Sequence, residues 1–330
     1  MSQYEMNGGG SPLLEKGLLR VLSPGGRRGL SILIYHRVLP QKDPLFPGEV
    51  DREEFDQQLA LLKSRFTILP LLDAVRRARS GDLPPRAACI TFDDGYADNA
   101  EVALPLLLKY GLHATFFIAT GFLNGGRMWN DSVIELARRA PGGGLDASSL
   151  GLGKHALGSI AERQRAIPAL IGQLKYLPME ERLAQVNRLA DLACCELPSD
   201  LMMNTAQLHK LRDAGMGLGA HTVNHPILAR LPAAQARQEI ASGKAALEDL
   251  LGQPVPLFAY PNGKPGEDYL AEHVSMVREL GFEGAVSTAW GASKGRQDVY
   301  QLPRFTPWDR SRLRFVLRLA RNLTVSAQLV

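Results

Sequence analysis

The chain has 330 residues, 45% of them apolar and 22% charged, with a formal net charge of +4. That length buries a substantial core in one large α/β domain, or in one domain with an insertion, and the composition is that of an ordinary soluble globular protein. The mild positive charge, without a basic-aromatic patch, leaves no expectation of nucleic acid as a partner. No stretch is long and apolar enough to span a bilayer.

Residues 1–29 read as a tail and a short helix. Met1 to Gly10 is polar and Gly-rich, with no basic-then-apolar leader. Leu13 to Leu22 is amphipathic, and Ser23-Pro24-Gly25-Gly26 ends it. Three cysteines, Cys89, Cys194 and Cys195, make no disulfide framework, so a reducing compartment is expected. The expectation is a cytoplasmic protein, at the inner face of the membrane if it touches one.

Ser31 to Tyr35 is a continuous apolar strand that runs into His36. Asp51 starts a helix, with Glu54 as capping-box partner and Phe55, Leu59 and Leu62 on one face. Phe66 to Leu69 is a short strand and Leu72 to Ala78 a helix. Ala87 to Phe92 is a buried strand that ends on Asp93-Asp94-Gly95-Tyr96, followed by a helix over Ala97 to Tyr110. His113 to Ala119 is the next strand. Apolar strands alternating with helices predict a parallel sheet or barrel with working residues at the strand C-termini.

The rhythm breaks near Gly125. Residues 127–200 read as a helical insertion without strands. Met128-Trp129-Asn130-Asp131 at its start either reaches the site or forms a helix N-cap preceded by a packed tryptophan; capping statistics favour the second. The alternation resumes at Asn204, with strands at Met216 to Ala220, Pro256 to Pro261, Gly284 to Ser287 and Tyr300 to Phe305. Asp309 to Leu323 is a helix carrying five arginines. It is read first as packing Leu313, Val316, Leu317 and Ala320 on the barrel, and alternatively as a basic surface for anionic lipid.

Two neighbouring carboxylates at a strand mouth repel each other. A site tolerates Asp93 and Asp94 when one binds a cation and the other stays ionised as a base; a plain turn with Asp94 as helix cap is the competing reading. His221-Thr222-Val223-Asn224-His225 supplies two imidazoles after a strand, and Pro226 blocks an immediate helix. With Asp94 they complete two histidines and a carboxylate, a set that leaves positions open on a divalent ion.

These motifs, with Phe258-Ala259-Tyr260-Pro261-Asn262-Gly263, resemble the polysaccharide deacetylases, the NodB-homology domains of carbohydrate esterase family 4. The resemblance covers about residues 30–125 and 200–305. It implies that residues 30–330 form a distorted (β/α) barrel with fewer than eight regular strands, interrupted by the insertion. It implies zinc, or cobalt, nickel or manganese, held by Asp94, His221 and His225, with Asp93 as the base. The family often has an arginine where this chain has Ala259, and Arg304 is the candidate replacement. Its late Leu-x-His segment is missing after Tyr300. Ile34-Tyr35-His36-Arg37-Val38 instead resembles the rearranged branch that deacetylates exopolysaccharides, which makes His36 the general acid. The implied substrate is an N-acetylated oligo- or polysaccharide, free or lipid-linked.

From the residue types, Asp93 would take a proton from attacking water and His36 would protonate the departing amine. The oxyanion would face a backbone N–H, that of Tyr96. Tyr260, Pro261 and Trp290 are the remaining candidates for sugar contact, with core packing the alternative for Tyr260 and Trp290. The same site would serve an O-acetyl ester or another amide. A silent carbohydrate-binding scaffold is the reading of a different class.

Overall fold

A computed structural model describes residues 12–26, 28–294, 298–307 and 312–330. The expected tail up to Ser11, and Asp309 and Arg310 of the last helix, lie outside the described residues. Helix α1 (Pro12–Leu22) leads into strand β1 (Arg28–Tyr35). There follow α2 (Arg52–Arg65), β2 (Thr67–Ile68), α3 (Leu71–Ser80), β3 (Ala87–Phe92), α4 (Leu104–Tyr110) and β4 (Thr115–Ile118). The insertion contains α5 (Trp129–Arg139), β5 (Gly144–Asp146), β6 (Lys154–Ala156), α6 (Ile160–Leu174) and α7 (Met179–Ala193). Then come α8 (Thr205–Asp213), β7 (Gly217–Ala220), α9 (Ala233–Leu251), β8 (Leu257–Ala259), α10 (Ala271–Glu279), β9 (Gly284–Val286), β10 (Ser293–Lys294) and α11 (Arg312–Thr324).

Strands β1, β3, β4, β7, β8 and β9 lie in that order, all parallel. Strand β2 adds to β3 and β10 pairs antiparallel with β1. The result is a distorted (β/α) barrel with fewer than eight regular strands. The strand expected over Tyr300 to Phe305 is corrected to an extended segment with one isolated bridge on each side, Leu302 to Val286 and Phe305 to Leu33. Pro303 has no N–H to give, so a continuous ladder cannot form there. The segment still bonds both neighbours, through Leu302 N–H to Ala285 O and Phe305 N–H to Ile32 O. It thereby spans the gap between β9 and β1.

Strand β3 is buried along its whole length. Its side chains alternate, as strand geometry demands. Ala88, Ile90 and Phe92 pack toward the helices, where Phe92 stacks on Tyr35 and Phe116. Ala87 and Cys89 face the opposite side, packed with Phe117, Leu257 and Val286. Each fully buried aromatic there contributes about 2–3 kcal/mol of hydrophobic burial. The inward row continues through Thr91 to Asp93, so the same periodicity that buries the strand aims the first aspartate into the barrel mouth.

Asp51 caps α2 as expected, its carboxylate accepting the Glu54 N–H at 2.9 Å. The helix read over Ala97 to Tyr110 opens with a π-helical turn at Asn99–Ala103 before α4. The insertion is corrected from purely helical to helical with a β5–β6 hairpin. Three-residue strands in Gly-rich text are too short to show a period of two. The insertion has its own core, built on Val133, Leu136, Leu157, Leu170 and Leu189, and it takes in Leu45 from the loop after β1. On α11 the buried apolar residues are Phe315, Val316, Leu319, Ala320 and Leu323. Leu317, expected on that face, is 52% exposed instead, and the side chain of Leu313 lies outside the described residues.

Candidate active site and metal centre

The strand C-termini converge on one cleft of about 420 Å³. His36 follows β1, Asp93 and Asp94 follow β3, and His221 and His225 follow β7; all five line it. The backbone is strained where they turn. Asp94, Thr222, His225 and Asn262 have φ of 76°, 65°, 52° and 57°. For a β-branched residue such as Thr222 this is a genuine outlier, and such residues gather at functional sites. Gly95, at φ 91°, continues the sharp turn.

Asp94 Oδ1 lies 3.4 Å from Nε2 of His221 and 3.4 Å from Nε2 of His225. One ligand atom from each residue falls within a 4.8 Å cluster. His221 Nδ1 is 2.7 Å from the Ala259 carbonyl. A carbonyl only accepts, so Nδ1 carries a proton and Nε2 is the ring atom turned to Asp94. Asp94 Oδ1 is buried and has no hydrogen-bond partner. A buried carboxylate oxygen without a partner is costly, and a divalent ion satisfies it. The residues therefore fit a metal.

The electrostatics favour a cation. Burial opposes ionisation of Asp94, but its contact with His221 and the nearby His225 hold its pKa well below the usual carboxylate range. Burial likewise opposes a charged His221, yet Asp93 and Asp94 outweigh it and raise the ring's pKa. His225 is pushed down to about 4, chiefly by burial, and so stays neutral, the form that ligates.

Arg304 meets Asp93 as a two-pronged pair, with Nη1 to Oδ1 at 2.7 Å and Nη2 to Oδ2 at 2.6 Å. Its Nε donates to the Ser287 carbonyl. The segment that closes the barrel thus places the charge that Ala259 lacks. Burial disfavours an ionised Asp93, and Arg304 with His221 overcomes it, lowering the pKa.

His36 lines the cleft and is exposed to it. Its carbonyl accepts from Asn99 Nδ2 at 2.9 Å. The next residue, Arg37, donates to Asp98 at 2.8 Å, and Asp98 also accepts the Val38 N–H. Tyr96 lines the cleft, and no acceptor for its backbone N–H occurs among the described residues. Its hydroxyl donates to Asp131 at 3.2 Å.

Two expectations are corrected. Tyr260 is fully buried, stacked on Tyr269 with its hydroxyl on the Tyr300 carbonyl, so it is core and not a sugar platform. Pro261 and Trp290 do not line the cleft, where Asn262 does. The Trp290 ring is part-exposed under Arg321. A third reading shifts: Met128 is the N-cap of α5 but makes no side-chain cap bond. Instead Met128, Trp129, Asn130 and Asp131 all line the cleft.

Sequence reasoning missed Glu239 on α9. Its carboxylate accepts the N–H groups of Val223 and Asn224 and the Asn224 side-chain amide, at 3.1, 2.9 and 2.8 Å. It clamps the loop between the two histidines. Helix α9 approaches that loop only because residue 243 is glycine; a Cβ there would stand 2.6 Å from the Thr222 carbonyl carbon. No local pattern around Glu239 marks it, since its partners lie 15 and 16 residues away.

The sequence profile of the polysaccharide deacetylase family matches residues 80–148 and 185–285. The chain belongs to the polysaccharide deacetylase family. It is 22% identical over 277 residues to YxkH of Bacillus subtilis (strain 168), which carries the family's name; the match covers 83% of this chain and 70% of that one. The fold is similar to the Streptococcus pyogenes deacetylase PplD, solved in complex with acetate, with a TM-score of 0.56 and 21% identity over 84% of this chain and 91% of that one. It is also similar to IcaB from Ammonifex degensii, with a TM-score of 0.55 and 20% identity over 90% and 98% of the two chains. The profile skips residues 149–184, the middle of the insertion. Membership of this family makes an acetylated polysaccharide the substrate class.

Proposed function

We propose that this deacetylase removes N-acetyl groups from a polysaccharide or its precursor. The observation that carries the reading is Asp94 Oδ1, buried without a partner and 3.4 Å from two imidazoles, beside the separately paired Asp93. Asp94, His221 and His225 would hold the ion, with zinc the first candidate. When bound, such an ion polarises an acyl carbonyl and acidifies water. Asp93, kept ionised by Arg304, takes the proton of the attacking water. The Tyr96 N–H faces the developing oxyanion. His36, exposed in the same cleft, protonates the departing amine. Acetate and a free amino sugar leave.

Acetate release from N-acetylglucosamine oligomers by zinc-loaded protein tests this, with His36→Ala alongside. The expected result is turnover that falls at least about 100-fold in the variant with bound zinc unchanged. Unaltered turnover removes His36 from the role. Release from O-acetylated chains alone would move the chemistry to ester hydrolysis, and binding without release would mark a carbohydrate-binding scaffold.

Contact with a membrane surface is the second proposal, and α11 favours it. Arg314, Leu317 and Arg321 are all exposed on one helical face, and α1, packed beside it, exposes Leu18 and Val21. Cations and apolar side chains together suit an anionic lipid surface. Sedimentation with phosphatidylglycerol vesicles, but not with phosphatidylcholine vesicles, is expected, and Leu317→Glu should abolish it. Equal sedimentation with both removes the proposal.

A further inference from the structure

The cleft continues. A neighbouring cavity of about 580 Å³ shares Lys175, Ile227, Asn262 and Thr288 with it, so the two form one groove. Half of the lysines and arginines along this groove already have carboxylates. Arg37 pairs with Asp98, Arg138 with Asp43 and Glu135, and Lys264 with Glu267. Three do not. Among the described residues no carboxylate lies within ion-pair distance of Arg182, Lys175 or Arg230.

Arg182 is the most telling of the three. It is 9% exposed, on α7 of the insertion, and its Nε has no hydrogen-bond partner. Nη1 donates to the Lys175 carbonyl at 3.0 Å, and the guanidinium lies 4.8 Å over the Trp129 ring. Burial lowers its pKa, with no nearby acid to offset the effect. A buried, partly unsatisfied guanidinium beside a cleft is an arrangement that an incoming anion completes. Lys175 links the two cavities, and Lys175 and Arg230 each approach the exposed Tyr176 ring, at 5.6 and 5.9 Å. The acids that share the groove make no ion pair with these three cations among the described residues. Asp131 is bonded by the Tyr96 hydroxyl, Asp268 accepts the Lys264 N–H, and Glu49 is exposed on the loop after β1. Lys175, Tyr176 and Arg182 all lie in the insertion, in the stretch that the family profile does not match.

We propose that the groove takes an anionic glycan, with a carboxylate or phosphate seated on Arg182 and Lys175, and Arg230 further along, while the acetylated sugar lies at Asp93 and Asp94. The inference rests on the deacetylase reading only for that acetyl-bearing end. It deepens that reading by naming the substrate as acidic.

Calorimetric binding to zinc-loaded protein tests it. One probe is an oligosaccharide alternating N-acetylglucosamine and glucuronate; the other is the same chain with its carboxylates reduced to alcohols. The acidic chain is expected to bind about tenfold or more tightly, and the advantage should shrink with added salt. It should vanish in Arg182→Gln. Because Arg182 is buried, the double variant Lys175→Gln/Arg230→Gln, at a half-buried and an exposed position, is measured too and should also reduce it. Inorganic pyrophosphate is the second arm. Binding of pyrophosphate that needs Arg182, without a preference for glucuronate, supports the proposal with phosphate as the anion. Equal affinity for both chains and no Arg182-dependent pyrophosphate binding overturns it. Acetate is measured in the same samples: tight acidic binding without release leaves the anion site standing and removes the deacetylase reading.

Discussion

Arg304 and Asp93 form a fully buried, two-pronged ion pair across the barrel mouth, at 2.7 and 2.6 Å. The arginine comes from an irregular segment more than 200 residues downstream of its partner. Breaking such a pair leaves an uncompensated buried charge, which costs about 3–5 kcal/mol. Arg304→Met should therefore lower the unfolding midpoint and cut turnover at least about 100-fold. Arg304→Lys keeps the charge but not the fork and should recover only part of both. Thermal denaturation and acetate release check this together. Full activity in Arg304→Met would show that Asp93 needs no partner.

Glu239 predicts a different split. It touches neither of the histidines proposed to hold the metal, yet it holds the loop that sets their spacing. Loss of such an outer partner typically weakens metal binding by about 10–100-fold. Glu239→Ala should show that loss in a chelator competition while turnover at saturating zinc stays much closer to wild type. Unchanged zinc affinity would make Glu239 a purely structural helix residue.

Asp131 predicts a pH dependence. Burial and then the charge of Asp94 raise its pKa to about 7. The native state binds this proton more tightly than the unfolded chain, so stability from this group is present at acid pH and is lost as pH rises from about 4 to about 7. The loss is on the order of 4 kcal/mol at most. Asp131→Asn, which cannot ionise, should gain stability over wild type at pH 8 and gain little at pH 4, measured by urea unfolding of metal-free protein. An equal difference at both pH values would contradict the shift.

Much of the candidate cleft was legible because its residues stand at strand ends. Asp93 and Asp94 follow an apolar run, and His221 and His225 follow another, so order and spacing carried the information. Arg304 was legible only as a replacement for a missing charge, because nothing local marks it. Glu239 and Asp131 act through contacts 15 to 35 residues away in sequence, and no periodicity records such contacts. Tyr260 failed for a related reason. A tyrosine at a strand end reads alike whether its ring turns out to the cleft or in to Tyr269. The strand over Tyr300 to Phe305 failed because apolar pattern says nothing of the N–H that Pro303 lacks.

The proposed mechanism gives Asp93 and the metal-holding residues Asp94, His221 and His225 separate duties. Bound zinc and acetate release, measured on the same samples of wild type, Asp93→Asn and His225→Ala, test it most directly. Asp93→Asn is expected to keep its zinc and release no acetate, whereas His225→Ala loses both. Equal loss of zinc in the two variants, or acetate release by Asp93→Asn near the wild-type rate, would contradict it.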